Sequence, residues 1–487
     1  MPFSLKKPLQ RNIPPPLILA ITCVGIFIAA LDQTVIYGAL ADMMPDLRLT
    51  VLDLDRAAWI VVGYLIGYTF AMPLMAKVSD VYGHSQIYIL SLLVFIVGSI
   101  FVALAPNFEW IIAARIIQAI GGGAMVPIAM AIAADIFPKG SRAIPLGIIG
   151  GVVEAGGALG PFYGGVISEM LDWRWIFWIN IPVGIIAALL IFFLLGSSPK
   201  AQSKIDYLGG ILLAAGLAFL SLALSQRPEQ FDSPIYTIST SILSVLCFII
   251  FIFRQFRATE PLINLSIFKN ITFSSANITS LIAGAALIMA LVNVPLISQT
   301  IMGSSPIEAG LRLFRLTIMI CVGAIGGGFL CRQFGYRLPT IIGLLLSGLG
   351  FFFLSRWTLD IADPYMTLHL VTVGLGFGLV IAPLATAVVD SIGSKQRAIG
   401  SSIVVMTRMI GMIIGLAALS SWGMGNFQIM TAGMTLEEIM NTPEEVIQIT
   451  LNLFHDFFIA SIFICIAGII PALWIRSKKP KLTTHKL

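Results

Sequence analysis

GIIGGVVEAGGALGPFYGG, running from Gly147 to Gly165, decides how the rest of the chain is read. Its nineteen residues include one that is charged at neutral pH, Glu154. A stretch of that length and polarity crosses a hydrocarbon core of ~30 Å as a helix. It lacks the strict alternation that a membrane β-strand needs. Gly156, Gly160 and Gly164 recur every four residues and form a groove that lets a neighbouring helix approach closely. Pro161 removes a backbone donor and favours a bend. On a helical wheel Gly147, Glu154 and Pro161 share one face, and Gly156 and Gly160 lie roughly opposite. The carboxylate can therefore face a central cavity while the glycines pack.

The same composition extends in both directions. The chain has 487 residues, 58% hydrophobic and 11% charged, with a mean hydropathy of +0.96. Soluble domains carry about 25% charged residues, so a soluble protein is excluded, and an all-α membrane protein is expected. Fourteen apolar spans can be drawn, at about 16–42, 57–76, 87–105, 108–135, 143–168, 174–195, 205–225, 235–253, 271–299, 307–331, 338–355, 364–390, 397–421 and 453–475. The first run is too long for a signal-peptide core and lacks a clear cleavage site. Cys23, Cys247, Cys321, Cys331 and Cys465 lie in or beside apolar spans without metal-ligand spacing, and read as small apolar fillers.

The net charge of +5 follows topology rather than nucleic acid. With the N-terminus inside, the inward segments hold 20 Lys and Arg, among them Lys6, Lys139, Arg142 and Arg254. The outward loops hold five: Arg48, Arg56, Arg174, Arg227 and Arg356. That bias places both termini in the cytoplasm of a multi-pass inner-membrane protein. The longest outward segment, about Trp422 to Asn452, carries Glu437, Glu438, Glu444 and Glu445 without Lys or Arg. It reads equally as a helical cap or an ordinary acidic loop.

An internal repeat is visible. AKVSDVYGHS (Ala76 to Ser85) aligns with GFLCRQFGYR (Gly328 to Arg337) at an offset of 252, pairing Gly83 with Gly335 and Asp80 with Arg332. MVPIAMAIAAD, ending at Asp135, matches IAPLATAVVD, ending at Asp390, and Arg142-Ala143 matches Arg397-Ala398. The expected organisation is a tail over 1–16, a six-helix half over 17–195, two inserted helices over 196–256, a second six-helix half over 257–475 and a basic tail over 476–487. Paired halves around a central site suit alternating access.

Further motifs carry a resemblance. The spaced set Gly147, Gly156, Gly160-Pro161 and Gly164-Gly165 resembles the antiporter motif of the major facilitator superfamily. Arg115, Gln118, Gly121, Gly122 and Ala124 resemble its R-x-x-Q-G pattern. DWRWIFWINIPVG (Asp172 to Gly184) and LDQTVIYGAL (Leu31 to Leu40) are similar to signatures of the fourteen-helix drug:proton antiporter branch. Within it, AAWIVVGYLIGYTFAMPL (Ala57 to Leu74) and GGVVEAGGALGP (Gly150 to Pro161) look most like mycobacterial exporters of triacylglyceride lipids and some drugs. The resemblance implies a gating loop containing Asp80, Gly83, Arg332 and Gly335. It departs from the pattern at Ala76, in place of the first Gly, and at Val81, His84 and Ser85, where basic residues are usual. Tyr37 replaces the usual Asn.

Ionisable groups in hydrocarbon cost ~2.5–3.5 kcal/mol each on insertion scales. Asp32, Arg115, Glu154 and Arg408 lie within spans and are the proton-coupling candidates, and Arg312 and Arg315 sit near the outer end of the tenth span. Rise per residue places Glu154 and Arg408 at similar depth, with Asp32 somewhat further out, so the three are expected to converge. Two readings of Glu154 and Arg408 stand: a titrating switch or a permanent pair. Arg115 reads equally as a functional group or a bridge between helix backbones. Tyr37, Gln118 and Met125 are the expected substrate-cavity residues. His84, His369 and the pair His455-Asp456 read as boundary residues.

The expected function is proton-coupled export of a small hydrophobic or lipidic substrate, with drug or lipid left open. Its partners are protons and the lipid bilayer, not nucleic acid, and a periplasmic lipoprotein partner is left open. A membrane enzyme would need an acid/base or metal constellation. The four scattered His residues and the missing paired acidic motif give none, so no metal or cofactor is expected. A non-transporting receptor is disfavoured by the antiporter motif and the buried carboxylates.

Overall fold

The computed structural model describes residues 14–47, 54–195, 205–224, 234–259, 261–304, 306–393, 397–430 and 443–476. The helices are α1 (Pro15–Thr34), α2 (Ile36–Asp46), α3 (Leu54–Tyr82), α4 (His84–Ala103), α5 (Phe108–Ile136), α6 (Ala143–Met170), α7 (Arg174–Leu195), α8 (Tyr207–Leu224), α9 (Pro234–Arg257), α10 (Ile271–Thr300), α11 (Pro306–Phe334), α12 (Arg337–Leu354), α13 (Tyr365–Ser391), α14 (Arg397–Met430) and α15 (Pro443–Ala472). The first expected span is thus two helices, interrupted for one residue at Val35, which keeps helical dihedrals. Among the described residues eleven helices are long and apolar enough to cross a membrane, and α6 makes a twelfth if its 42° bend lies within one span. The figure of fourteen is not reached: α3 is outside that group, and the apolar part of α8, Tyr207–Leu220, is shorter.

Local chemistry sets the helix boundaries. The Asn107 side chain accepts from the Trp110 amide at 2.9 Å to open α5, and Asn270 accepts from Thr272 at 3.0 Å to open α10. The sharp turns between α3 and α4 and between α11 and α12 need positive φ, which Gly83 (104°) and Gly335 (77°) supply. The last two helices reach past their expected ends. α14 continues to Met430 and α15 begins at Pro443, so part of the acidic 422–452 segment is helical. Glu437 and Glu438 lie outside the described residues.

Packing repeats along the chain. In the first half α1 packs on α6, α3 and α4 on α5, and α4 on α7. In the second α10 packs on α14, α11 and α12 on α13, and α12 on α15. α8 and α9 pair with each other, and α8 rests on α3. Across the seam α6 meets α11 and α13, and α14 meets α3 and α5. One buried apolar cluster crosses this seam, from Met130 and Ile149 to Val388 and Ile403. Two further clusters stay within single halves: one around Val35, Met43 and Trp173, the other around Val294, Phe351 and Phe458. The halves are joined where α6 and α14 begin.

Candidate functional site

The groove read from sequence holds α1 and α2. A Cβ at Gly156 would lie 2.8 Å from the Phe27 carbonyl oxygen, and one at Gly160 would lie 2.0 Å from Thr34 Oγ1. One at Gly164 would lie 2.2 Å from the Val35 carbonyl, whereas Gly165 has its nearest neighbour at 3.7 Å. Gly147 faces the other way, onto Ala324 of α11. Pro161 has no N–H for the Gly157 carbonyl one turn earlier, and Thr34 donates its hydroxyl there instead, at 2.6 Å. The second half repeats the device. Gly411 and Gly415 of α14 stand at the offset that relates Arg397 to Arg142, and they press on the Leu281 and Ala285 carbonyls of α10.

Two charged centres occupy the interior. In the first, Arg115 Nη1 donates to Asp32 Oδ2 and its Nη2 to the Asp32 carbonyl at 3.0 Å. Gln118 Nε2 and Asn180 Nδ2 donate to Asp32 Oδ1 at 3.1 and 3.2 Å, and Gln118 also donates to Ser99 Oγ at 2.9 Å. Arg115 Nε is the one atom of this group found buried without a partner, and all the members are buried. Asp32 therefore pairs with Arg115 and is not gathered with Glu154 and Arg408, as depth alone suggested. Depth fixes height along a helix, whereas the partner depends on which way each side chain points.

In the second centre Glu154 Oε1 and Arg408 Nη1 are 2.8 Å apart, the carboxylate from α6 and the guanidinium from α14. The pair spans the seam, with each side chain about one-tenth exposed. Arg408 also lines a cleft of about 510 Å³ of empty space, open mouth included. Val126 and Met130 of α5 and Gly150 and Val153 of α6 form one wall. Ser280 and Leu287 of α10, Phe377 and Leu384 of α13 and Val404 of α14 form the other. A buried pair of this kind is held by mutual attraction against the cost of desolvation, so losing one partner leaves an expensive lone charge. A carboxyl that takes up a proton is spared that cost.

The expected cavity residues lie elsewhere. Gln118 is fully buried in the Asp32 network and Met125 in the apolar core. The cleft is instead reached by the next residue, Val126, and by Met130. The side chain of Tyr37 lies outside the described residues.

The joined end of the halves carries a third group. Asp80 Oδ1 and Oδ2 accept from the Ala398 and Ile399 amides at 3.1 Å, capping α14 across the seam. His84 bridges Asp80 (3.1 Å, Nε2) and Asp135 (2.8 Å, Nδ1), and Arg397 donates to Asp135. The mirror contacts are Arg142 to Asp390 at 3.0 Å and the Tyr336 hydroxyl to Asp390 at 2.7 Å. Tyr336 occupies the repeat position of His84. Arg332, the expected gating-loop residue at the repeat position of Asp80, is exposed. His84 thus sits inside an ion cluster and is more than a boundary residue.

The remaining polar residues are placed more simply. His455 Nε2 meets the Trp357 carbonyl at 2.7 Å, and Trp357 Nε1 donates to His369 at 3.0 Å. Arg312 donates to Met302 Sδ at 3.2 Å. Arg315 grips Asp363 at 2.8 Å, and the Thr367 hydroxyl together with this guanidinium holds the Asp363 carboxyl below the ordinary carboxylate range. Sequence reading passed over Asn180, Ser99, Tyr64, Tyr68 and Thr34. A lone Asn in the apolar run FWINIPVG was the available signal for Asn180.

The family profile described as Major Facilitator Superfamily matches residues 22–416. A probable triacylglyceride transporter of Mycobacterium leprae is 33% identical over 491 residues, covering 95% of this chain and 96% of the relative. A triacylglyceride transporter of Mycobacteroides abscessus is 35% identical over 420 residues, covering 83% and 81%. Among solved structures, a proton:xylose symporter bound to a bromo-deoxyglucose superposes with a TM-score of 0.60 at 14% identity, covering 92% and 94%. The human organic anion transporter superposes at 0.58 with 16% identity, covering 93% and 100%. With a matching profile over most of its length and full-length relatives above 30% identity, this multi-pass membrane chain belongs to the major facilitator superfamily.

Proposed function

We propose that the chain is a proton-coupled exporter of lipidic or amphipathic compounds, working by alternating access in the inner membrane with both termini in the cytoplasm. The observation that carries this reading is the Glu154–Arg408 pair, placed where the two halves meet beside an apolar cleft. With the pair ionic, attraction across the seam favours the described arrangement. A proton on Glu154 cancels that attraction and lets the halves separate at this level, and the next deprotonation restores it. The apolar walls take acyl or aromatic groups, and Arg408 and Ser280 offer polar contacts to a headgroup. The names of the mycobacterial relatives support a lipid cargo.

The Asp32–Arg115 centre offers a second carboxylate within the first half. The corresponding stretch of the second half carries Leu370 and Val373 where the first has Arg115 and Gln118, so polar chemistry is concentrated in one repeat. The test is transport by purified protein in liposomes with an imposed pH gradient, using a fluorescent diacyl or triacyl glyceride in one arm and a cationic dye in the other. Gradient-dependent glyceride movement supports the reading, and dye movement alone favours drug export. Movement indifferent to the gradient refutes proton coupling.

A further inference from the structure

The two charged centres are not isolated from each other. Tyr64 and Tyr68, one helical turn apart on α3, lie between them with ring centroids 5.9 Å apart and planes 24° from parallel. The Tyr64 ring sits 4.1 Å from the Arg115 guanidinium carbon, and its hydroxyl donates to the Ala29 carbonyl at 3.0 Å. Gly122 and Gly123 of α5 make room for both residues: a Cβ would lie 2.8 Å from the Tyr64 hydroxyl and 2.3 Å from the Tyr68 carbonyl oxygen, respectively.

Tyr68 differs from its neighbour in one respect. Its hydroxyl is fully buried and has no hydrogen-bond partner. It lies within electrostatic reach of both Arg408 and Glu154. A buried hydroxyl without a partner is a cost to the arrangement that contains it. Phenylalanine would fill the same space without that cost, which points to a use for the hydroxyl in another arrangement. Separation of Glu154 from Arg408 strips each of its main partner, and a phenolic hydroxyl can donate to the carbonyl oxygen of the protonated carboxyl.

We infer that Tyr68 is a positioning residue of the transport cycle, whose hydroxyl takes over as hydrogen-bond partner of Glu154 when Arg408 withdraws. Tyr64 holds the Tyr68 ring by stacking and links its position to the Asp32–Arg115 centre. Tyr68 thereby favours the arrangement other than the one described. The inference rests on the reading of Glu154 as the titrating switch.

The experiment compares Tyr68→Phe, Tyr64→Phe and Glu154→Gln in the intact protein, with glyceride transport, thermal stability and the distance between spin labels as readouts. The labels are placed on cysteines at Met170 of α6 and Tyr365 of α13, both exposed and on opposite halves, after replacing the native cysteines by serine. Tyr68→Phe is expected to hold or raise thermal stability in the described arrangement. It should move the distance distribution towards that arrangement by about tenfold in population ratio and reduce transport by about tenfold, the effect of losing one buried hydrogen bond. Tyr64→Phe, which loses a satisfied hydrogen bond but keeps the stack, is expected to lower stability without moving the distribution. Wild-type transport and distances in Tyr68→Phe, with Glu154→Gln inactive, overturn the inference and leave the switch standing. Wild-type transport in Glu154→Gln overturns both.

Discussion

Asp390 of the second half accepts from Arg142 of the first at 3.0 Å, and the contact is mirrored by Arg397 of the second half on Asp135 of the first. Each half therefore gives one acid and one base to the same seam. The two bridges are related by the repeat, so they are expected to break together when the halves part at this end. Cys331 is buried close to Asp390 and reports on that event. In a variant keeping Cys331 as its sole cysteine, Arg142→Ala is expected to raise the maleimide labelling rate about tenfold, the effect of losing ~1.4 kcal/mol from the closed arrangement. An unchanged rate would show that this bridge does not hold the end closed.

His84 is the member of that cluster most open to exchange. Both its ring nitrogens face carboxylates, so the imidazolium satisfies Asp80 and Asp135 at once, and the neutral ring satisfies one as donor. His84→Ala leaves two acids facing each other and is expected to slow transport severalfold, with an increase in Cys331 labelling. His84→Arg keeps a permanent cation at the site and is expected to recover the closed end. Labelling that rises equally in both variants would contradict the assignment.

The glycine groove makes a contrast within one helix. A Cβ at Gly160 meets Thr34 Oγ1 at 2.0 Å and the Leu31 carbonyl at 2.7 Å, whereas one at Gly157 has no neighbour within 4 Å. Gly160→Leu is expected to abolish transport while the protein still inserts. Gly157→Ala is expected to transport normally and to gain up to ~1 kcal/mol from helix propensity. Assay of both variants at matched membrane levels checks the pair of outcomes.

Asp206 anchors the α8–α9 hairpin. It is buried, and it accepts from the Gly209 amide at 2.9 Å, Arg254 Nε at 2.7 Å and Gln255 Nε2 at 3.0 Å. Asp206→Ala strands the Gly209 amide and the Gln255 side chain, whereas the Arg254 guanidinium, 39% exposed, turns to water. A stability loss of roughly 1–3 kcal/mol is expected, read as a lowered melting temperature. No described residue of the hairpin lines the cleft, so transport per folded molecule should stay within about twofold. Loss of transport without loss of stability would give the hairpin a direct role.

The helices and the repeat were legible because they are written locally. Apolar runs placed α5, α10 and α13 to within a residue or two, and the Asp135/Asp390 and Arg142/Arg397 correspondences were visible as text. What escaped was the crossing of those pairs: the sequence aligns Arg142 with Arg397 but gives no sign that each reaches the other half's acid. Asp32 was expected beside Glu154 because both are deep carboxylates, yet its guanidinium comes from Arg115, 83 residues away, through a side-chain direction that depth does not encode. Tyr64 and Tyr68 were invisible for a further reason. Tyrosine in a membrane helix is unremarkable by composition, and only three-dimensional packing separates the bonded hydroxyl from the unbonded one. α14 runs past the end of its expected span and α15 begins before its own, because helix persists beyond the apolar stretch.

The central claim is that protonation of Glu154 governs its hold on Arg408. The direct measurement is proton movement by the purified protein in liposomes on addition of glyceride substrate, followed with an internal pH dye, in wild type, Glu154→Gln and Arg408→Ala. Gln keeps the shape of the side chain but cannot titrate. Substrate-dependent proton flux is expected in wild type, with a loss of at least about a hundredfold in Glu154→Gln and substrate binding largely kept. Arg408→Ala should also lose coupled transport, because it removes the cation whose attraction to Glu154 ties protonation to the seam. Wild-type proton flux in Glu154→Gln would contradict the account and leave Glu154–Arg408 as a fixed structural pair.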